Sequence, residues 1–128
     1  MLKLKYCVCT LLLSSFSPLL QALEPLSQAQ YDQQIQYYTD IVNQTKKVID
    51  VPDSIYDAKI QNIALCQRIE AYRQIATLSE ANISLDLASI MLSIANNYLA
   101  QQQQSFAASK MTEQAFCPSK KTDVKPLK

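Results

Sequence analysis

The chain reads LSQAQYDQQIQYYTDIVNQTKKVIDVP over residues 26–52, and this stretch decides the fold. Ser27, followed three residues later by Gln30, matches a capping box, which marks the start of a helix. Apolar side chains then recur at spacings of three and four, the repeat of one helix face. Pro52 ends the helix, because the residue before a proline is pushed out of helical geometry. The pattern predicts a first helix over residues 28–50. Its inner face comprises Tyr31, Ile35, Tyr38, Val42 and Ile49.

The rest of the chain also favours helices over strands. The sequence contains no glycine, and its five prolines lie at residues 18, 25, 52, 118 and 126. Tight hairpins usually call on glycine, and a proline within a helix breaks it. Residues 53–117 contain neither, so we expect an all-α protein, a small three- to four-helix bundle with one disulfide.

Two further helices are expected between Pro52 and residue 100. Asp53 or Ser54 would cap the second helix, Asn82 could close it, and Ser84 could cap the third. A turn near residues 80–84 is therefore predicted, with one long helix through both segments as the alternative. The predicted inner face of the second helix comprises Ile55, Ala58, Leu65, Ile69, Tyr72 and Ala76. That of the third comprises Leu87, Met91, Ile94 and Tyr98.

The first 22 residues have the pattern of a cleaved signal peptide. Lys3 and Lys5 precede an apolar run over residues 7–16, and the segment ends in the small residue Ala22. The run is shorter than a membrane-spanning helix. The sequence therefore predicts cleavage near Ala22, no stable membrane insertion afterwards, and a periplasmic or secreted mature protein. A retained anchor is the alternative.

Two cysteines, Cys66 and Cys117, remain after cleavage, and an exported protein meets an oxidising compartment. We expect them to form a structural disulfide; an intermolecular bridge or free thiols are the alternatives. A disulfide needs Cα atoms within about 7 Å. Because a straight third helix would carry Cys117 far past Cys66, the chain must bend between residues 100 and 112. A short fourth helix would then return Phe106, Met111 and Phe116 to the core.

Composition defines the domains and limits the partners. Residues 23–117 form the expected helical domain, and residues 118–128 a basic tail that we expect to be disordered. Residues 23–128 carry ten basic and eleven acidic side chains. This near-neutral balance argues against general nucleic-acid binding.

The sequence offers little for catalysis. It contains no histidine, so the commonest general base and every Ser-His or Cys-His arrangement are missing. Asp50, Asp53 and Asp57 lie near one corner, but a calcium loop of familiar spacing needs a glycine, and capping explains these acids better. We expect neither an enzyme nor a bound metal or cofactor.

Three side chains are candidate anchors for a protein partner. Tyr37 lies about 100° round the helix from the inward Tyr38, and Arg68 and Arg73 are the arginines of the second helix. Tyrosine and arginine are enriched at protein interfaces. The sequence thus favours a non-enzymatic module that binds another envelope or secreted protein, such as an inhibitor, immunity or accessory protein. The alternative is a carrier of small apolar ligands, with a pocket near Tyr72, Met91 and Ile94.

Overall fold

The computed structural model describes residues 25–52 and 55–117. Within these two ranges the chain forms four helices and no strand: α1 (Gln28–Ile49), α2 (Ala58–Ala81), α3 (Ala88–Ala108) and α4 (Glu113–Phe116). Both α1 and α3 pack against α2, which lies between them. The predicted all-α fold is confirmed. The expected signal peptide and the basic tail lie outside the described residues.

The start of α1 has the geometry that its sequence predicts. The Gln30 amide donates to Ser27 Oγ over 3.3 Å, and the Ser27 amide donates to Gln30 Oε1 over 3.0 Å. Two backbone donors of the first turn are thereby satisfied. Tyr31 and Val42 are buried as expected, whereas Tyr37 is 62% exposed. The predicted inner and outer faces of α1 are correct at these positions.

The start of α2 differs from the prediction. Asp57 is the N-cap, and its Oδ1 accepts the Ile60 amide over 2.9 Å. Asp53 and Ser54, the predicted caps, lie four and three residues earlier and outside the described residues. Because the helix begins only at Ala58, Ile55 falls in the preceding bend and is 93% exposed. Its assignment to the inner face was therefore wrong.

The predicted turn between the second and third helices is present. Asn82 is the C-cap of α2, with a φ of −126° rather than a left-handed value. Its Oδ1 accepts the Leu26 amide over 3.0 Å, and its Nδ2 donates to the Leu78 carbonyl over 2.8 Å. The turn is thus tied to the start of α1. Ser84 does not cap α3; Leu87 takes that position without a side-chain hydrogen bond.

The inner face of α3 is rotated from the one expected. Ala88 and Ala95 are fully buried, while Leu87 and Ile94 are exposed. Small side chains let two helix backbones approach closely, so larger neighbours are displaced to the flanks of the contact. The hydrophobic pattern alone placed the larger residues inside.

The chain reverses direction after α3, as a disulfide between Cys66 and Cys117 was expected to require. α3 ends at Ala108, and Lys110 adopts a left-handed φ of 55° before α4 begins. α4 is capped by Thr112, whose Oγ1 accepts the Ala115 amide over 3.2 Å. The Cα atoms of Cys66 and Cys117 lie 5.6 Å apart and the two residues form the expected disulfide.

The returning segment, residues 109–117, covers part of the core. Phe106 is buried and its ring centroid lies 5.5 Å from that of Phe116. Met111, which was expected to be buried with them, is 40% exposed. Within the described ranges, no helix has both the length and the apolar character needed to span a bilayer.

Candidate partner-binding surface

Tyr37 presents an aromatic ring to solvent and contacts the neighbouring Tyr38 ring. Its centroid lies 5.1 Å from that of Tyr38, with the ring planes 75° apart in an edge-on contact. Tyr38 itself is half-buried. Edge-on contacts between aromatic rings are favourable, so the Tyr38 ring supports this position of the Tyr37 ring.

A shallow cavity of about 240 Å³ lies beside this pair, between α1 and α2. We call it the α1·α2 groove; its lining comprises Tyr38, Ile41, Gln44, Gln67, Glu70 and Ala71. Ile60 and Ile63 are exposed on α2, and the position of Ile63, four residues before Gln67, puts it on the same side. The lining therefore combines the Tyr38 ring, the Ile41 side chain and the amide groups of Gln44 and Gln67, while Tyr37, Ile60 and Ile63 lie outside it. Sequence reasoning found Tyr37 but missed Ile60 and Ile63, because their exposure depends on how α2 is rotated against α1.

Arg73 lies on the surface but its guanidinium is already engaged. Nη1 donates to Glu70 over 2.6 Å, and Nη2 donates to Glu113 over 2.5 Å. The hydrogen bond to Glu113 is the main cause that raises the pKa of Arg73, opposed in part by burial. Arg73 thus joins α2 to α4. A partner that used it as an anchor would have to replace one of these carboxylates.

Arg68 is not a surface residue, which corrects the prediction that it could anchor a partner. It is only 8% exposed. Its Nε donates to Thr45 Oγ1 over 2.7 Å, and its Nη1 forms an ion pair with Asp50 over 2.9 Å. Thr45 belongs to the last turns of α1 and Asp50 is the C-cap of that helix. These contacts satisfy two of the three guanidinium nitrogens in the buried site.

The buried end of this network carries two polar atoms without partners. Arg68 Nη2 and the Tyr98 hydroxyl have no hydrogen-bond partner among the described residues. Burial raises the pKa of Tyr98, and the positive charge of Arg68 opposes that rise. The Tyr98 ring also stacks on Tyr72, with centroids 4.0 Å apart. This packing assigns Tyr72 and Tyr98 a structural role between α2 and α3.

A larger cleft of about 690 Å³ separates α3 from the returning segment. Its apolar lining includes Leu99, Phe106 and Met111, and the ion-paired Arg73 and Glu113 also line it. Tyr72, Met91 and Ile94 line neither this cleft nor the α1·α2 groove. The cavities described here therefore lie away from the pocket expected for an apolar-ligand carrier.

The described residues offer no assembled metal site: no group of three or more His, Cys, Asp or Glu side chains could hold an ion. Asp50 and Asp57 have the local roles just given, an ion pair and a helix cap. Comparison with known proteins adds no further information, since no family model, curated protein or solved structure matches this chain.

Proposed function

We propose that this chain is an exported helical protein that binds another envelope or secreted protein through the α1·α2 groove, with Tyr37 as the anchor. The observation that carries the proposal is the Tyr37 ring, 62% exposed and held edge-on against Tyr38 at the side of the groove. Large rigid aromatic side chains of this kind supply much of the binding energy in protein interfaces. The groove between two antiparallel helices is suited to accept a helix or an extended segment of the partner.

Export is the first part of the proposal, and the Cys66 to Cys117 disulfide supports it. Intramolecular disulfides persist in oxidising compartments and are rare in the cytosol. Intact-mass measurement of the protein recovered outside the cytoplasm tests the cleavage. We expect a mass reduced by residues 1–22. Recovery of the full 14.4 kDa chain from washed membranes would contradict this part of the proposal.

Binding through Tyr37 is tested with a photo-reactive amino acid, p-benzoylphenylalanine, placed at position 37 in cells of the source organism. We expect a covalent adduct with a second protein, identified by mass spectrometry. Position 43 is the matched control, because Asn43 is exposed on the same helix about 120° away. Equal adducts at both positions, or none at position 37, would contradict the assignment of the face.

The captured partner then allows affinity to be measured. Tyr37→Ala should weaken binding by about thirtyfold, the loss of roughly 2 kcal/mol expected for an interface anchor. Tyr37→Phe keeps the ring and its contact with Tyr38, so it should bind nearly as tightly as the wild type. If both variants bind like the wild type, Tyr37 is not the anchor.

A further inference from the structure

The cleft between α3 and the returning segment has a volume of about 690 Å³. This volume lies within the range of small-ligand sites, about 300–1,000 Å³. The least exposed of its lining residues are apolar: Ile69 is 2% and Phe106 is 9% exposed, and Leu99 is half-buried. We call these three residues the apolar floor of the cleft.

Four amide side chains also line the cleft. Asn96 and Gln103 are exposed on α3, Gln102 is half-buried on the same helix, and Gln114 is exposed on the returning segment. None of these four amide groups forms a hydrogen bond with another described residue, whereas several glutamines of α1 and α2 bond a carboxylate of their own helix. Each amide offers both a donor and an acceptor, so the cleft presents free hydrogen-bonding groups of both kinds.

Among the described residues, the cleft lining has no unpaired charge. α3, which forms one wall, includes no acidic or basic side chain. The two charged lining residues, Arg73 and Glu113, pair with each other over 2.5 Å. A charged ligand would have to break this pair or lose water without gaining an opposite charge, which is costly. The lining therefore favours a neutral ligand.

The aromatic ring in the lining is not open to a flat ligand. Phe106 is almost buried, and its centroid lies 5.5 Å from that of Phe116. A nucleobase stacks on an exposed ring face, which Phe106 does not offer. A ligand in this cleft therefore meets amide groups and aliphatic carbon rather than an aromatic face.

We propose that this cleft binds a short neutral peptide segment. The backbone of the peptide pairs with the four amide side chains, and one apolar side chain packs on the apolar floor. A peptide backbone carries one donor and one acceptor in each residue, so it matches side chains that also carry both. An apolar side chain is removed from water where it covers the floor, which favours binding.

The site is formed before the peptide binds. The returning segment supplies one wall, and the disulfide between Cys66 and Cys117 joins that segment to α2. A wall fixed in this way limits the entropy cost of binding. The site is also separate from the α1·α2 groove, because the two linings share no residue.

The probe is the neutral tripeptide N-acetyl-Ala-Leu-Ala-amide, added to the oxidised protein and followed by NMR. We expect saturable shifts of the Leu99, Gln103 and Gln114 resonances with a Kd of about 1 mM, because a free tripeptide loses much of its flexibility on binding. Replacing its leucine by serine removes the apolar side chain and should weaken binding at least about fivefold. Replacing the leucine by aspartate adds a charge and should weaken binding at least about tenfold. No saturable shift at these residues, or a serine or aspartate peptide that binds as tightly as the leucine peptide, overturns the proposal.

Two matched pairs of variants locate the site. Asn96 and Gln103 line the cleft, whereas their exposed neighbours Asn97 and Gln104 do not. Asn96→Ala and Gln103→Ala should each weaken tripeptide binding about fivefold, the loss of one hydrogen bond. Asn97→Ala and Gln104→Ala should leave binding unchanged. All four side chains are exposed, so each variant should melt within about 2 °C of the wild type. Equal effects within both pairs overturn the assignment of the cleft.

Tyr37→Ala separates this site from the proposed function. It should leave tripeptide binding unchanged, because Tyr37 lies outside the cleft lining. Gln103→Ala should in turn leave the crosslink from position 37 unchanged. If Tyr37→Ala abolishes tripeptide binding, the peptide occupies the α1·α2 groove and its assignment to the cleft is wrong.

Discussion

The buried guanidinium of Arg68 depends on two groups of α1 more than on its own helix. Thr45 and Asp50 satisfy two of its three nitrogens, and the third has no partner among the described residues. A buried charge is costly to leave uncompensated, whereas removing both charges is often tolerated. The two partners of this ion pair are therefore not equivalent: Arg68 is buried, and Asp50 is half-exposed.

This asymmetry gives a prediction. Asp50→Ala leaves the buried guanidinium without its carboxylate and should lower the free energy of unfolding by about 2 kcal/mol. Arg68→Met keeps the aliphatic stem and leaves Asp50 accessible to water. It should therefore lower the free energy of unfolding by less than Asp50→Ala does. Urea denaturation measures both. Asp40→Ala is the control and should change the free energy of unfolding by less than about 0.5 kcal/mol. Asp40 is exposed, and among the bonds observed it accepts only one from the side-chain amide of Gln36. The reverse order of Arg68→Met and Asp50→Ala would contradict this account.

Tyr98 gives a prediction about pH. Because burial raises its pKa in the folded state, the folded protein holds this proton more tightly than the unfolded chain. The associated stability is present below the unfolded value of about 10 and is lost as the pH rises through the folded pKa. Tyr98→Phe should therefore lose less stability than the wild type on going from about pH 8 to pH 11.

At neutral pH the same change should leave the free energy of unfolding unchanged or raise it by up to about 1 kcal/mol, because it deletes a buried hydroxyl without a partner. Tyr31→Phe is the informative contrast. The Tyr31 hydroxyl bonds buried Ser79 over 2.8 Å, so its removal should cost about 1 kcal/mol or more. Equal costs for Tyr31→Phe and Tyr98→Phe would show that the two hydroxyls have similar environments.

At the scale of the elements, helix ends and the disulfide control the path of the chain. Asp57 begins α2 and Thr112 begins α4, each through a side-chain oxygen that accepts a backbone amide. Asp57→Ala should lower stability by about 1 kcal/mol, while Asp57→Ser keeps an acceptor and should cost less. A loss for Asp57→Ala no larger than that for Asp57→Ser, measured by thermal denaturation, would mean that the cap contributes little.

The disulfide holds the returning segment on α2 together with the Arg73 to Glu113 ion pair. It closes a loop of sequence separation 51, for which loop entropy predicts about 4 kcal/mol. Cys66→Ala, Cys117→Ala and the double variant should therefore each lower the melting temperature by about 15 °C or more, and by similar amounts. A double variant that melts like the wild type would show that the ion pair and the phenylalanine contact hold the segment without the bridge.

The sequence predicts several local features of this protein, although it misplaces the N-caps of α2 and α3, and it predicts features shared between helices less well. The capping box at Ser27, the turn near Asn82 and the bend before Cys117 each follow from nearby residues or from one covalent constraint. Arg68 could not be placed in the core, because its burial depends on Thr45 and Asp50 of another helix. The sequence also mispredicted which face of α3 is buried. Close packing of the helices buries the small residues Ala88 and Ala95, whereas a hydrophobic pattern assigns the larger residues to the inner face. The charge-free run of α3 is plain in the sequence, but its exposed side becomes apparent only in the fold.

At the scale of the whole molecule, α2 is the central element. α1 and α3 each pack along it, whereas direct contact between the backbones of α1 and α3 is slight. Its buried positions therefore face two neighbours, and they include the polar residues Arg68 and Ser79 together with Ile69, Ala71 and Ile75. Loss of either outer helix would expose α2, but loss of α2 would leave the other two with little to pack against.

Native-state hydrogen exchange should report this arrangement. Amides of α2 between Arg68 and Ser79 should exchange only through global unfolding, because both neighbours must leave before they meet solvent. Amides of α1 and α3 should open at lower free energy, since each helix has one main contact. Reduction of the disulfide should accelerate exchange first at residues 109–117, where the covalent link is lost, and only later in α2. If α1 carries the slowest amides while α2 exchanges through partial opening, the stable unit is not built on α2, and the order in which the helices separate has to be revised.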